Sequence, residues 1–456
     1  MWASKVTSCA CRNPEPTSSN FPGILARRTD TIPTMQRGTL ASSCGWIVLG
    51  AVFSPVAAQD WTRFRGPNGS GLSDASTVPT SWTEQDLNWK VALPGPGISQ
   101  PVLWGERIFV FSAAADASER FLECRRAKDG SVEWARRFPC ALHSKHDRNT
   151  FATVTPVVDA ERIYLILSVP ESAQLLALDH GGKEVWRHDL GPHVSRHAGG
   201  ASPILFEGLV VIANELDEKS FVATVEQKTG TRRWTTERKS TTASYATPCV
   251  FQDASGKPEL VFSSNAHGLY SLDVRTGAVN WEAAVFDKRT VSSPVIASGL
   301  LVATCGSGNG GNYIVAMKAG GKGDVTATHL AFKLNNSIPY VPTPVARGDL
   351  LFLWNDKGIV SCVETPTGST LWQERVGGGY SGSPVMIGDR LYAMSEEGEV
   401  PVVAASREFK VLARNSLGEG SRSTPAVSGG RMYLRTYTHL ISIGGEEMRR
   451  AGGSSE

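Results

Sequence analysis

Short apolar runs recur along the chain, and each follows a Ser-Pro, Thr-Pro or Gln-Pro step. The prolines of these steps lie 40 to 55 residues apart: Pro101, Pro156, Pro203, Pro248, Pro294, Pro344, Pro384 and Pro425. A repeat of this length is typical of a four-stranded propeller blade. The pattern therefore predicts a tandem array of β-blades rather than a helical solenoid.

The fourth repeat shows the order of elements within one period. Apolar runs begin at Thr247, Glu259 and Gly268, and a turn that contains Gly277 leads to a fourth run with Trp281. Glycine suits this tight turn because it adopts a positive φ without a Cβ clash. Each period thus predicts four short antiparallel strands.

A tryptophan follows the turn glycine by four residues in five repeats. The pairs are Gly130 with Trp134, Gly182 with Trp186, Gly230 with Trp234, Gly277 with Trp281 and Gly368 with Trp372. A large ring at one place on each outer strand predicts packing between neighbouring blades. We interpret these tryptophans and Trp89 as structural docking residues. Phe332 and Phe409 lie near the same position in the two degenerate repeats.

The eighth repeat has three apolar runs and then a polar tail. The missing strand is predicted at the other end of the chain, where Trp89 precedes Pro101 as Trp372 precedes Pro384. We therefore predict an all-β fold, an eight-bladed β-propeller of four-stranded antiparallel blades over 87–445, with the ring closed by an N-terminal outer strand. Such closure leaves no open edge between the first and last blades. Seven blades remain the alternative, because two repeats are degenerate.

The N-terminal residues have the features of an export signal. Arg37 precedes an apolar run over 46–53, and small residues over 56–58 form a cleavage site. We expect an N-terminal extension plus signal peptide over 1–58 with the true start at Met35, a lead segment over 59–86 and a disordered tail over 446–456. The apolar run is too short to span a bilayer comfortably, and no later stretch could. These features predict a periplasmic or secreted protein without a transmembrane segment in the mature chain.

The balance of basic and acidic residues indicates which classes of partner the chain can attract. The chain has 46 basic and 44 acidic residues, and the first 58 contain five and two of them, which leaves 41 and 42. A nearly neutral mature chain gives no electrostatic reason to expect nucleic acid.

Five cysteines follow the predicted cleavage site: Cys124, Cys140, Cys249, Cys305 and Cys362. An odd number leaves at least one thiol unpaired or intermolecular. Buried free thiols and a bridge between Cys124 and Cys140 both remain open.

The loops on one face of a propeller surround its channel, and ligands commonly meet such a face. These loops contain the candidate ligand- or partner-binding residues Arg148, Asn149, His193, Arg196, His197, Tyr245, Arg289, Asn336, Tyr340, Tyr380 and Arg422. A ring of arginines could hold a carboxylate or a phosphate. The alternative is that these side chains only satisfy loop backbone groups and solvate the rim.

Two groups of residues have the atoms of metal ligands. Asn214, Glu215 and Asp217 offer oxygens suited to Ca²⁺, and His193 and His197 offer nitrogens suited to zinc. Acidic residues in surface loops are usually solvated, and the spacing fixes no third zinc ligand. We predict no metal site and no catalytic residue.

Residues 271–281, Ser-Leu-Asp-Val-Arg-Thr-Gly-Ala-Val-Asn-Trp, resemble the tryptophan-docking repeat of the pyrroloquinoline quinone (PQQ) family, and 224–234 and 362–372 are similar. The Asp-Trp-Thr-Arg-Phe-Arg-Gly-Pro-Asn-Gly opening at 60–69 resembles the secreted PQQ-binding-like β-propeller repeat proteins of planctomycete-type bacteria. The family includes quinoprotein dehydrogenases and the BamB-like subunit of the outer-membrane β-barrel assembly machine.

The resemblance implies two functions. The first is an exported, non-catalytic propeller, a monomer that acts as a binding or scaffold module for a protein, peptide or glycan. The second is a PQQ- and Ca-dependent quinoprotein oxidoreductase or a PQQ-binding relic. The chain has no adjacent cysteine pair and no motif that matches the family's Ca²⁺ ligands. We therefore expect the first function and predict no cofactor, with PQQ and Ca²⁺ possible but unsupported by matching ligands.

Overall fold

The structure is a computed structural model, and it describes residues 61–195, 197, 199–239, 242–253 and 255–445. The predicted extension and signal peptide over 1–58, the tail over 446–456 and the candidate Arg196 lie outside the described residues. Among the described residues, no helix has the length and apolar character needed to cross a membrane.

Eight four-stranded antiparallel sheets form an eight-bladed propeller, which confirms the predicted fold. The inner strands follow the repeat prolines: Val102–Trp104, Val157–Val158, Ile204–Phe206, Cys249–Gln252, Val295–Ala297, Val345–Arg347, Val385–Ile387 and Ala426–Ser428. The second strands are Arg107–Ala113, Arg162–Val169, Leu209–Asn214, Pro258–Ser264, Leu300–Cys305, Leu350–Trp354, Arg390–Tyr392 and Arg431–Arg435.

The third and outer strands complete each blade. The third strands are Glu119–Arg126, Ser172–Asp179, Ser220–Glu226, Gly268–Asp273, Tyr313–Lys318, Ile359–Glu364, Glu399–Ala404 and His439–Gly444. The outer strands of blades 1 to 7 are Val132–Pro139, Glu184–Gly191, Arg232–Arg238, Val279–Ala283, Leu330–Leu334, Ser369–Arg375 and Val411–Ser416. Second and third strands are nearly continuously buried, because neighbouring blades cover both of their faces.

Blade 8 confirms the predicted ring closure. Its outer strand is Leu87–Ala92, which pairs antiparallel with His439–Gly444 and places Trp89 opposite Ser442. Residues from both ends of the propeller region therefore form one sheet, and the seven-bladed alternative is excluded.

Five short elements lie outside the repeat: the strands Leu72–Ser73 and Gly323–Asp324, the 3-10 turns Pro67–Gly69 and Glu84–Asp86, and the helix Thr326–His329. Both extra strands pair in parallel, one with the inner strand of blade 7 and one with the outer strand of blade 4. The repeat pattern did not predict them.

The indole N–H groups of five tryptophans donate to carbonyl oxygens of the next blade, at 2.9 to 3.1 Å: Trp89, Trp134, Trp186, Trp234 and Trp372. Trp281 differs, because its indole donates to the Glu259 carboxylate of its own blade at 2.9 Å. The extra strand Gly323–Asp324 pairs beside Trp281 and replaces the usual contact. Phe332 takes the tryptophan position against Gly368.

All five cysteines of the described region are free thiols, so the structure has no bridge between Cys124 and Cys140. Cys124 is completely buried in the core between blades 1 and 2, and burial raises the pKa of its thiol to about 12.

The residue before each repeat proline belongs to a chain of hydrogen bonds around the channel. Its backbone N–H donates to the side-chain hydroxyl of the equivalent residue in the next blade, at 3.0 to 3.1 Å. The seven links run through Gln100, Thr155, Ser202, Thr247, Ser293, Thr343, Ser383 and Thr424. We call these eight residues the hydroxyl belt. The belt explains why Ser or Thr precedes seven of the eight prolines.

Gln100 differs from the other belt residues because it has no hydroxyl. Its side-chain amide donates to the carbonyl oxygen of Pro425 in blade 8. Its Oε1 accepts the backbone N–H of Arg65 at 2.6 Å. Gln100 therefore joins the two ends of the belt and connects them to the lead segment.

Residues 61–73 of the lead segment cross the channel, and we call them the plug. The backbone carbonyls of Trp61 and Thr62 accept N–H groups from the inner strands of blades 1 and 2, both at 2.9 Å. Asn68 exchanges two hydrogen bonds of 2.8 Å with the backbone of Val250 in blade 4. The Gly71 carbonyl accepts the N–H of Met386 in blade 7 at 2.8 Å. The plug thus connects blades on opposite sides of the ring.

Two buried arginines of the plug bind the repeat prolines. Arg65 donates to the carbonyls of Pro344 and Pro384 at 2.7 and 2.9 Å, and Arg63 donates to that of Pro248 at 2.7 Å. Burial lowers the pKa of Arg65 to about 9 and that of Arg63 to about 10, so both stay charged at neutral pH. Hydrogen bonds to buried carbonyls compensate for the lost hydration of these charges.

We predict that Arg65→Lys destabilises the propeller by about 2 to 4 kcal/mol, because one ammonium cannot replace a planar fork that binds two separate proline carbonyls. The measurement is the urea dependence of tryptophan fluorescence. Arg107→Lys, at an exposed pair with Glu133, is the matched control and should change stability by less than about 0.5 kcal/mol. Equal midpoints for the two variants would show that the plug contributes no stability.

We also predict that Thr343→Val lowers the free energy of unfolding by about 1 to 3 kcal/mol, because the substitution keeps the shape but leaves the buried N–H of Ser293 without its acceptor. Thr231→Val in an exposed turn is the control. The same urea titration tests both variants, and an unchanged midpoint for Thr343→Val contradicts the role assigned to the belt.

Candidate functional site

A cavity of about 790 Å³ lies in the channel. Phe64 of the plug and the belt residues Thr155, Thr247, Thr343 and Thr424 line it, together with loops that lead into the inner strands and loops that follow the second strands. Because the plug crosses the channel, a polymer chain cannot pass through the ring from one face to the other.

The cavity lining is predominantly polar. Of its 33 residues, 17 are Ser, Thr, Asn or Tyr, seven are charged or His, four are Gly and five are apolar. The apolar residues include Phe64 and Ile98. Such a lining offers many hydrogen-bond donors and acceptors and little surface for an apolar ligand.

Seven of the eleven predicted face residues line this cavity: Arg148, Asn149, His197, Tyr245, Arg289, Tyr340 and Arg422. Asn336 is exposed next to the lining residues Asn335 and Ser337. The structure does not bring His193 or Tyr380 to the cavity. His193 is buried, and the Tyr380 ring is only 1% exposed because it packs in the core against Trp354, with centroids 5.3 Å apart.

Arg148 and Arg422 share one carboxylate, that of Glu396. Arg422 Nη2 donates to Glu396 Oε2 at 3.1 Å, and Arg148 Nη2 contacts Oε1. Ser381 Oγ also donates to Oε1, at 2.7 Å. The predicted ring of arginines is therefore partly neutralised on this side. Nothing in the repeat pattern marked Glu396 as the partner of these two arginines.

Arg289 is held mainly by neutral groups on the other side of the cavity. Its Nη1 donates to His197 Nε2 at 2.7 Å, and its guanidinium lies 5.6 Å from the centroid of the Tyr245 ring. Because a guanidinium only donates, His197 accepts this hydrogen bond at Nε2. The Tyr245 hydroxyl also bonds Ser195 Oγ at 2.8 Å.

Tyr340 and Asp356 continue this side of the cavity. The Asp356 carboxylate accepts the backbone N–H groups of Tyr340 and Val341 at 2.7 and 3.1 Å, while burial raises its pKa. Burial also raises the pKa of Tyr340, and an interaction with Arg289 opposes that rise. Asp356 is the one carboxylate among the described lining residues, and the exposed Lys357 follows it.

The structure separates the candidate Ca²⁺ ligands. Glu215 is buried beside Tyr270 and Ser264, and this burial raises its pKa to about 7. Asp217 Oδ1 instead accepts the backbone N–H of Ala243 at 2.8 Å. Across the described ranges, no group of three or more His, Cys, Asp and Glu side chains is arranged to hold a metal ion.

A protein-family model described as "Outer membrane protein assembly factor BamB" matches residues 141–374 and 356–450 of this chain. The two matches together span most of the propeller. No curated protein sequence matches the chain.

Solved structures show the same fold at low sequence identity. Quinohemoprotein alcohol dehydrogenase from Comamonas testosteroni has a TM-score of 0.61 at 12% identity, over 87% of this chain and 81% of its own. BamB from Moraxella catarrhalis has a TM-score of 0.54 at 15% identity, over 78% and 98%. The computationally designed Ika8 protein has a TM-score of 0.55 at 10% identity, over 80% and 99%. The likeness shows a shared propeller fold, which hosts different functions.

We predict that Glu215 makes the stability of the propeller decrease as pH rises. Its folded pKa lies above that of the unfolded chain, so the folded state binds more protons between about pH 4.5 and 7, and stability falls across that window. Glu215→Gln removes this loss and should be more stable than the wild type at pH 8, by up to about 3 kcal/mol. Thermal unfolding at pH 5 and pH 8 measures the difference.

Glu218→Gln, at an exposed position three residues further on, is the control for this experiment. If Glu215→Gln and the wild type lose the same stability between the two pH values, Glu215 is not the responsible group.

Proposed function

Because this chain belongs to the family described as outer membrane protein assembly factor BamB, we propose that it is an exported, non-catalytic binding propeller. We propose further that its ligand is a glycan, held in the cavity between the plug and the loop face. The predicted signal segment supports export, and the polar cavity supports the ligand class.

The composition of the cavity wall carries the proposal. Sugars present hydroxyl groups in many directions, and 17 of the 33 lining residues offer hydroxyl or side-chain amide groups. The aromatic rings of Tyr245 and Tyr340 provide apolar faces between these groups. A peptide with apolar side chains would find only five apolar lining residues.

The plug limits how such a ligand enters. A long polysaccharide cannot thread through a channel that the plug crosses. The cavity therefore suits a chain end, a short oligosaccharide or a branch, which enters and leaves from the loop face.

A PQQ-dependent dehydrogenase has less support from the residues present. Its calcium ion requires several oxygen ligands. Asp356 is the one carboxylate in the described lining, and two backbone N–H groups already occupy it. The donor set of this cavity therefore does not fit a calcium-bound quinone, and we derive no reaction step through one.

A protein partner is a second candidate, and two exposed apolar side chains favour it. Leu142 and Val194 are 79% and 38% exposed, in the loops that follow the outer strands of blades 1 and 2. These loops surround the cavity opening, so a protein bound there would cover it. The family description supports an outer-membrane assembly component as such a partner.

We predict that Gly308→Trp lowers glycan affinity at least about tenfold without destabilising the protein. Gly308 lines the cavity, and a Cβ there meets no atom within 4 Å, so the indole occupies ligand space without strain. The wild type is first screened on a glycan array, and calorimetric titration with a bound oligosaccharide then compares the variants.

Gly181→Trp, in the outer turn of blade 2, is the matched control, since it lies away from the cavity and its Cβ meets only the Asp179 carboxylate, at 3.2 Å. It should bind like the wild type. If the wild-type protein binds no glycan but binds an outer-membrane assembly component, protein binding replaces glycan binding as the proposed function. Equal glycan affinity for both variants would move the binding site away from the cavity.

A further inference from the structure

The cations of the cavity fall into two groups with different charge environments. The described lining contains Arg148, Arg289, Arg422 and Lys357 against one carboxylate, that of Asp356. Glu396 partly neutralises Arg148 and Arg422, as described above. Each side therefore combines two cations with one carboxylate, Glu396 on the first side and Asp356 on the side of Arg289 and Lys357, and both sides keep excess positive charge.

Arg289 is fixed in position, and its ion pair with a carboxylate is long. Its side chain is only 17% exposed, and Asp217 Oδ1 lies 4.0 Å from Nη2, at the outer limit of an ion pair. That Asp217 oxygen already accepts a backbone N–H. His197 and Tyr245 hold the guanidinium through a ring nitrogen and a ring face, and neither contact is with a carboxylate, so the guanidinium can still bind an anionic ligand.

Tyr340 adds a neutral donor next to this charge. Because burial keeps its hydroxyl protonated, Tyr340 can donate to an anion together with Arg289. Lys357 is exposed on the same cavity wall, and no ion pair to it occurs in the described part of the chain. These groups would surround an anionic substituent from two sides.

We infer that Arg289, Tyr340 and Lys357 bind the carboxylate of an acidic sugar, so that the glycan of this propeller contains a uronic acid unit. This inference rests on the proposed function. The guanidinium is planar and presents parallel N–H groups, a geometry that matches a carboxylate. The hydroxyl and amide groups elsewhere in the cavity bind the neutral part of the sugar.

The test uses oligosaccharides of galacturonate, glucuronate and alginate, each beside its methyl ester. Esterification removes the charge and leaves the sugar ring unchanged. At least one acid should bind the wild type about tenfold or more tightly than its ester. Raising the salt concentration should weaken binding of the acid and leave binding of the ester unchanged.

Two variants test which residues cause the preference for the acid over its ester. Arg289→Gln should lower the affinity for the acid about tenfold and keep the affinity for the ester within about twofold. Lys357→Gln, at an exposed position that folding does not require, should lower the acid affinity about threefold. Arg407→Gln is the control, since Arg407 pairs with Asp349 and Glu364 away from the cavity.

The possible failures are distinguishable. Equal binding of acid and ester, or a preference that survives in Arg289→Gln and Lys357→Gln, overturns the inference and leaves glycan binding intact. Tighter binding of a sulfated sugar or of a peptide with a free C-terminal carboxylate also overturns it, because the anion would then belong to another ligand. If no neutral or acidic glycan binds, the proposed function fails as well.

Discussion

One hydrogen bond, repeated from blade to blade, organises this propeller. In blades 1 to 7 the N–H before the inner-strand proline donates to a hydroxyl of the next blade, and these seven links form the belt. Proline itself has no N–H, so the residue before it supplies the donor at this level of the channel. The proline carbonyls face the plug, where Arg63 and Arg65 bind three of them. The belt residue and the proline after it therefore link neighbouring blades and also bind the plug.

The repeated residues and the irregular loops have separate tasks. The repeated residues, which are the belt, the docking tryptophans and the turn glycines, determine where the loops begin. They recur because every blade contacts its neighbour in nearly the same way. The cavity wall above the belt differs from blade to blade. Its asymmetry, with two arginines that share Glu396 on one side and Arg289 on the other, arises from loops that do not repeat.

The sequence predicted the ring because its signals are local and periodic: a proline step, a turn glycine and a tryptophan at fixed spacing. It predicted the site less well, because burial of a loop side chain depends on the neighbouring blades. Tyr340 and Tyr380 occupy similar loops in the sequence, yet one lines the cavity and the other packs on Trp354. The plug was predicted only as a lead segment, since its partners lie up to 319 residues away.

The plug also has a consequence for how the chain reaches its native state. Arg65 is near the start of the described chain, but it binds carbonyls in blades 6 and 7, and Leu87–Ala92 pairs only with the last strand of blade 8. Contacts of such sequence separation form late because a long loop must close first. Arg65 and the strand Leu87–Ala92 therefore acquire these partners only when the final blades are present. The plug therefore closes one end of the cavity only when the whole ring has folded, so the cavity exists only in the complete fold.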